Sequence, residues 1–432
     1  MWFLIKNGRV IDPSQNLDKT ADLLVENGRV SKIGKVSAEK LDKNEGSVYD
    51  ASGLVVTPGL IDMHVHLREP GFEYKETIET GAQAAAAGGF TTIVGMPNTK
   101  PAVDNRAVVE YVLNKGKSAA VNVLTTGAAT KANDGKEMAE LGEMIAAGAV
   151  AISDDAFPVQ SADLMRRVME YAAMLGVPFL AHCEDKTMTG DGIMNEGLTS
   201  TILGLRPWPR QAEEIMIWRN IMIADLAKCR LHIQHVTTAG GVEAIRWAKS
   251  RGIAITCETC PHYFSLTDEA LNEYDTNAKV CPPLRTQSDV DALKEALADG
   301  TIDIIATDHA PHAQNEKEVE LQDAAFGAVG LETALPLVLT NLVKTGVLSL
   351  SDAIAKMTIA PANALGIDSG TLKEGAIADI TIIDPETKVT VKASEFKSKS
   401  RNTPFDGMKL TGKAVVTIVG GKVIFETGLM KS

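Results

Sequence analysis

Eight apolar runs of strand length recur along the middle of the chain, beginning near Leu60, Thr91, Val121, Ala149, Pro178, Leu231, Ala254 and Asp303. The stretches between most of them have helical composition, such as Ile78 to Ala87 and Ala162 to Leu175. Few folds are open to a strand that alternates with a helix eight times, because each parallel return needs a crossover that covers one face of the sheet. The pattern predicts an α/β fold, a (β/α)8 TIM-like barrel. The first five runs start about thirty residues apart, the size of a βα unit with its return. Longer gaps follow the fifth and seventh runs, and these insertions are expected as loops or extra helices over one mouth of the barrel.

The flanks read differently. Residues 1 to 56 look like short strands joined by tight turns, and Asn7-Gly8 and Asn27-Gly28, each between apolar runs, both predict type I′ hairpins. Gly420-Gly421 separates Val415-Val416-Thr417-Ile418-Val419 from Lys422-Val423-Ile424-Phe425 in the same style. One small β-sandwich built from both chain ends is expected, with residues 1–56 plus 366–432 forming it and residues 57–365 forming the catalytic barrel.

A barrel of this kind carries its active site at the carboxyl ends of its strands, and the polar residues fall there. Strand one ends in His64, His66 and Arg68, strand two in Pro97-Asn98-Thr99, and strand four in Asp154-Asp155. Strand five ends in His182, strand six in His235, and strand eight in Asp308-His309-Ala310-Pro311-His312. His64 and His66 are two apart on a strand, so both imidazoles point to one side and can reach one metal ion. His232 and His235 are three apart, which by strand parity lets only one face the axis, and the C-terminal member is the better ligand. Asp154 and Asp155 oppose each other, and spacing does not choose between them.

Four histidines and two carboxylates converging on a barrel mouth suit one or two divalent ions, with zinc favoured by imidazole-rich ligation. His64 and His66 would serve a first ion and His182 and His235 a second, bridged by a carboxylate from strand four. Asp308 would bind the first and hold the attacking water. Such an ion lowers the pKa of bound water toward neutrality, and a neighbouring carboxylate can pass the proton to a leaving nitrogen. The chemistry is metal-assisted hydrolysis of an amide-like bond, or its reverse. An Arg68 fork matches a substrate carboxylate, although an arginine at a strand end also serves in surface ion pairs and Asn98 alone is also a turn residue. His309 reads as a packing or supporting residue, and His262 divides evenly between structure and site.

Bulk properties exclude other classes. The formal charge of −13 and the lack of a basic segment argue against nucleic acid. No apolar run approaches a membrane span, and the Asn7-Gly8 turn signal falls where a signal peptide needs its hydrophobic region, so a cytoplasmic protein is expected. The five cysteines sit in or beside apolar strands. Cys257 and Cys260 have no second pair with which to build a zinc cage, so reduced structural thiols are expected.

These residues resemble the dihydroorotases of the amidohydrolase superfamily, in the group whose bridging ligand is aspartate. The anchors are Asp62 to Gly71, Gly95-Met96-Pro97-Asn98-Thr99, Ser153-Asp154-Asp155, His182-Cys183-Glu184-Asp185, Ala306 to His312 and Phe326 to Thr333. The resemblance implies that His64, His66, Asp155, His182, His235 and Asp308 hold one or two Zn2+ ions, with Asp155 bridging and Asp308 as acid/base. It implies that Arg68, Asn98 and His312 hold the substrate carboxylate, that the backbone at Phe326 and Gly327 contacts the pyrimidine ring, and that residues 313–324 form a mobile loop over the site. The implied reaction interconverts N-carbamoyl-L-aspartate and L-dihydroorotate in pyrimidine synthesis. A homo-oligomer is expected, and aspartate carbamoyltransferase is a candidate partner. Cys281 stands where the family commonly has a ring-contacting asparagine. The segment Cys257 to Tyr263 is closer to hydantoinases and allantoinases, which form the alternative, but Arg68 and the lack of a lysine at the end of strand four oppose it. A catalytically silent structural subunit is a further alternative, opposed by the presence of all six candidate ligands.

Overall fold

The computed structural model describes residues 2–37 and 46–428; positions 1, 38–45 and 429–432, within the expected terminal segments, lie outside the described residues. Five strands precede the barrel: β1 (Trp2–Asp12), β2 (Leu17–Glu26), β3 (Arg29–Gly34), β4 (Gly46–Asp50) and β5 (Val55–Pro58). The barrel then begins with β6 (Leu60–Val65), β7 (Phe90–Gly95), β8 (Asn122–Thr125), β9 (Gly127–Ala128), β10 (Ile152–Ser153) and β11 (Phe179–Ala181). A two-rung ladder of β12 (Met194–Asn195) and β13 (Pro207–Trp208) lies in the long insertion after β11, and β14 (Leu231–Ile233), β15 (Ile255–Thr259) and β16 (Ile304–Ile305) complete the barrel. Three strands close the chain: β17 (Ile380–Thr390), β18 (Lys409–Val419) and β19 (Lys422–Glu426).

The barrel is two parallel ladders, β6-β7-β8 and β9-β10-β11-β14-β15-β16. They join where the third strand breaks: Thr126 N donates to Gly95 O at 3.0 Å and Val150 N to Thr125 O at 3.0 Å. At the other seam Val65 bridges His309 in parallel, and His66 N donates to His309 O at 2.8 Å. All eight strands fall at the positions expected from the apolar runs. Their near-continuous burial follows from being covered on both sides, and Leu60, Ile61, Phe90, Ile93, Phe179 and Ile305 are all buried.

Strands from the two chain ends meet in one eight-stranded sheet, ordered β19-β18-β17-β5-β1-β2-β3 with β4 on β1. The join is β5, which runs parallel to β1 through Val56↔Val10 and antiparallel to β17 through Val56↔Ile382. Phe3, Ile5, Val10, Val25, Val56, Ile380, Ile382 and Val416 pack as a core separate from that of the barrel. The sheet is tied to the barrel by Thr381 Oγ1 donating to Gly89 O at 2.6 Å and Gly59 N donating to Asp379 O at 2.9 Å.

Two of the three expected hairpins form. Glu26 pairs with Arg29 around Asn27-Gly28, and Val419 with Lys422 around Gly420-Gly421, all four turn residues having positive φ. Asn7-Gly8 does not turn the chain. The register of β1 with β2 shifts between Ile5 and Gly8, so the dipeptide is a bulge, and β1 leaves β4 there and takes up β5. A Cβ on Gly8 would lie 2.6 Å from Val56 Cγ2, so the glycine serves close strand approach rather than a hairpin.

Between β17 and β18 the chain leaves the sheet and reaches the barrel mouth, where Asn402 Nδ2 donates to Ala310 O and Gly327 O, each at 3.0 Å. Among the described residues no helix is long and apolar enough to cross a membrane. All five cysteines are free, and four are buried, as expected for structural thiols.

Candidate active site

The last residues of the barrel strands converge, and three of them leave their strands in the left-handed region: Arg68 at φ 61°, His235 at φ 33° and Asp308 at φ 48°. An L-residue there costs on the order of 1 kcal/mol or more. The consequence is clearest on β14. His232 lies opposite Thr256 and bonds Glu258 Oε2 at 3.1 Å inside the barrel. His235 turns inward as well, so parity, which allowed one inward histidine, fails two residues past the end of the strand. The two carboxylates after β10 do divide. Asp154 accepts from Val159 N and His182 N, whereas Asp155 lies among the imidazoles.

Three of the four rings are fixed by a second partner. A carboxylate or amide oxygen can only accept, so His64 Nδ1–H donates to Glu258 Oε1 at 2.5 Å, His66 Nδ1–H to Asn98 Oδ1 at 2.9 Å, and His182 Nε2–H to Glu184 Oε2 at 3.1 Å. The other nitrogen of each of these three rings is left as a lone pair. His64 Nε2 lies 3.5 Å from both Asp155 Oδ1 and Asp308 Oδ1, and His66 Nε2 lies 3.0 Å from Asp308 Oδ1 and 3.6 Å from Asp155 Oδ2. His182 Nδ1 is 3.3 Å from Asp155 Oδ1 and 2.8 Å from His235 Nε2.

Acceptors thus converge on acceptors, and two of them, His64 Nε2 and Asp155 Oδ2, are buried without a hydrogen-bond partner. That donor set fits divalent cations. One set is His64, His66 and Asp308, another His64, Asp155 and His235, each with ligand atoms within 4.8 Å of one another.

A cavity of about 440 Å3 opens above this floor, lined by His66, Arg68, Asn98, Asp155, His182, Cys281, Asp308, His312, Phe326 and Gly327 among others. Every candidate site residue lines it except His64 and His235, which lie beneath. Arg68 Nε donates to Pro311 O at 3.0 Å, which leaves one edge of its fork for a ligand. Burial, followed by the charges of Arg68, Lys75 and Lys317, pushes the His312 pKa down to about 2, so the ring is neutral. Its Nε2–H donates to Phe326 O at 2.8 Å and Lys75 Nζ approaches Nδ1 at 3.4 Å, so the Arg68 Nη2 contact at 3.3 Å is packing rather than a bond. Because Asn98 Oδ1 is occupied by His66, Asn98 offers its Nδ2–H2 to the cavity. Gly327 has φ 135°, and a Cβ there would lie 2.7 Å from Ala310 Cβ.

Several supporting residues had no sequence expectation. Glu258 joins His64 to His232, and a charged residue inside the apolar β15 is the signal that could have found it. Asp62, two before His64, accepts from Thr307 Oγ1 at 2.5 Å and His64 N at 3.1 Å and braces strands one and eight. Asn402 accepts from His312 N at 3.0 Å. Lys317 Nζ donates to Ala325 O at 2.7 Å and Gly327 O at 3.0 Å, and Lys279 Nζ to Leu321 O at 2.8 Å, so two buried ammonium groups clasp the loop 313–327. His309 accepts from Gly330 N at Nδ1 and pairs with Glu76, a packing role. His262 is buried outside the cavity lining.

Comparison with known proteins gives a consistent result. The family described as Dihydro-orotase-like matches residues 53–240, and the Amidohydrolase family matches residues 226–425. A dihydroorotase of Geotalea daltonii is 54% identical over 98% of this chain and 99% of its own, and one of Acetivibrio thermocellus is 52% identical over 98% of each. Among solved structures, the L-hydantoinase (dihydropyrimidinase) from Arthrobacter aurescens superimposes with a TM-score of 0.87 at 30% identity, covering 100% of this chain and 97% of that one.

Proposed function

This chain belongs to the dihydroorotase family, and from that premise we propose how its residues divide the work of a metal-dependent cyclic amide hydrolase. It acts in pyrimidine biosynthesis, on N-carbamoyl-L-aspartate and L-dihydroorotate. Identity above one half over the whole chain sets the hydantoinase alternative aside, and the likeness to the hydantoinase is one of fold at 30% identity.

His64, His66, Asp155, His182, His235 and Asp308 would hold one or two Zn2+ ions, zinc being favoured by four imidazoles. Bound there, the metal supplies Lewis-acid polarisation of the scissile carbonyl and acidification of water. Arg68 and Asn98 Nδ2 bind the substrate carboxylate and set the ring over Asp155, and His312 joins them once its Nε2–H turns from Phe326 O to the ligand. Phe326 and Gly327 orient the ring through their backbone. In the hydrolytic direction Asp308 takes the proton of the attacking water and delivers it to the ring nitrogen as the C–N bond breaks and the C–O bond forms; cyclisation reverses each transfer. The observation that carries this is the double placement of Asp308, 3.0 Å from His66 Nε2 on one side and lining the cavity with Arg68 and Asn98 on the other.

We assign the protein to the cytoplasm, as a homo-oligomer, with aspartate carbamoyltransferase as a candidate associate. The functional test is turnover of L-dihydroorotate, hydantoin and allantoin by zinc-supplemented protein, beside Asp308→Ala. Dihydroorotate turnover lost in the variant is expected; turnover of hydantoin or allantoin alone refutes the assignment, and silence on all three that persists with the carbamoyltransferase added makes the chain a structural subunit.

A further inference from the structure

His182 presents a nitrogen on each side of its ring. Nδ1 lies 3.3 Å from Asp155 Oδ1, among the catalytic acceptors, whereas Nε2 on the far side lies 3.1 Å from Glu184 Oε2. The Cys281 thiol stands beside that second pair. His182, the Glu184 carboxylate and Cys281 Sγ offer ligand atoms within 4.8 Å of one another, the same spread as in the two sets on the floor of the cavity. His182 and Glu184 follow β11, and Cys281 arrives from the loop after the short turn Thr276–Ala278. All three line the cavity, and Cys281 is the one cysteine of five that is not buried.

We propose that His182 Nε2, Glu184 and Cys281 form a further metal site, separate from the catalytic ones, that takes a thiophilic divalent ion of the zinc and cadmium class when such ions are in excess, and that its occupation inhibits turnover. A thiolate, an imidazole and a carboxylate supply three positions of a tetrahedral centre, and the cavity supplies solvent for the fourth. Ligands about 2.0–2.3 Å from a tetrahedral ion stand roughly 3.3–3.8 Å apart, so the widest pair closes by about 1 Å. The ion takes the place of two protons, the imidazole Nε2–H and the thiol S–H, and its two charges balance theirs. Glu184 is already oriented, since Thr189 Oγ1 donates to its Oε1 at 2.7 Å. The opposing group is Lys186, whose ammonium lies 2.5 Å from Glu184 Oε2, but its side chain is 45% exposed and is free to swing into solvent as a cation arrives. An ion held here occupies the cavity wall where Cys281 meets the substrate ring, and it draws on an imidazole that the catalytic centre uses. Inhibition follows from both. The site goes beyond the catalytic reading, although it shares His182 with it.

The test is a cadmium titration of the full, zinc-loaded chain, first assayed for L-dihydroorotate turnover and then followed by the ultraviolet charge-transfer band of a metal-bound thiolate. None of the six catalytic ligands is a cysteine, so the band reports this site, and a failure of turnover before cadmium is added bears on the catalytic reading alone. The band is expected to saturate at a single ion per chain while turnover falls in parallel. Cys281→Ser should show no band and keep its own rate over the same range of cadmium. Lys186→Met, which removes the opposing charge, should saturate at lower free cadmium. A wild type without the band, or a band that survives in Cys281→Ser, overturns the site. Equal loss of turnover in Cys281→Ser overturns the inhibition, and a Lys186→Met variant that needs more cadmium than wild type overturns the place given to Glu184.

Discussion

Glu258 is the residue whose replacement tests most directly how the metal-facing imidazoles are held. Both of its oxygens are engaged, Oε1 by His64 Nδ1 at 2.5 Å and Oε2 by His232 Nε2 at 3.1 Å, and it is fully buried. Burial opposes its charge, but His64 and His232 outweigh that and hold the carboxyl well below its ordinary range. Glu258→Gln keeps the shape. The amide oxygen still accepts from His64, and the amide N–H can donate to His232, whose Nδ1 side is paired with Thr256 Oγ1 at 2.8 Å. What is lost is charge assistance, the difference between about 1.5–3 kcal/mol for a charged hydrogen bond and about 0.5–1.5 kcal/mol for a neutral one. The share falling on His64, about 1.4 kcal/mol, is a tenfold loss of metal affinity. Glu258→Leu instead leaves two buried imidazole groups without partners, at about 1–3 kcal/mol each. The assay is zinc competition with a chromophoric chelator, beside urea unfolding of the metal-free proteins. The Gln variant should bind zinc about tenfold more weakly with nearly unchanged stability, and the Leu variant should also unfold about 2–6 kcal/mol more easily. A Gln variant within twofold of wild-type zinc affinity refutes the role given to Glu258.

Cys281→Asn, which puts a donor at the cavity wall beside His182, should lower KM for dihydroorotate by about threefold to tenfold at constant kcat, one hydrogen bond of about 1 kcal/mol; an unchanged KM places Cys281 away from the substrate. Burial, then the charge of Lys279, pushes the Lys317 pKa down to about 7 from 10.5. Folded protein therefore binds fewer protons than unfolded chain between those values, and stability rises with pH across that window. Urea titrations should show wild type gaining about 1–3 kcal/mol more than Lys317→Met between pH 7 and 10, and parallel curves for the two proteins would contradict this. Gly71 has φ 96°, and a Cβ there would lie 1.9 Å from Lys100 O. Gly71→Ala should cost about 3 kcal/mol or more, read as a drop in thermal midpoint, and an unchanged midpoint would show that the Arg68 to Gly71 turn can relax.

Local features determined much of what this protein is. Strand-length apolar runs alternating with helical composition set the barrel, because period and length are properties of consecutive residues. The i, i+2 spacing of His64 and His66 put two imidazoles on one side of β6, and the structure has both facing Asp308. Parity worked within the strands and failed past their ends: the backbone at His235 and Asp308 turns left-handed two and three residues beyond β14 and β16, and nothing in their neighbours announces it. Asn7-Gly8 failed for a related reason. The dipeptide has the conformational freedom for a hairpin, and whether it turns or bulges depends on β4 and β5 lying along the same strand, which is a fact about distant chain.

What only the tertiary structure decided is which far-apart residues support one another. Glu258 reaches His64 from 194 positions away, and Asn402, from the segment between β17 and β18, fixes His312 and Gly327 in the barrel mouth. Asp155 rather than Asp154 faces the imidazoles because Asp154 is claimed by the Val159 and His182 amides. The physical reason is common to all three. Backbone geometry and hydrophobic periodicity are fixed over a few residues, so a sequence carries them locally. A buried hydrogen bond is satisfied by whichever group the fold brings within about 3 Å, and that group has no required distance along the chain.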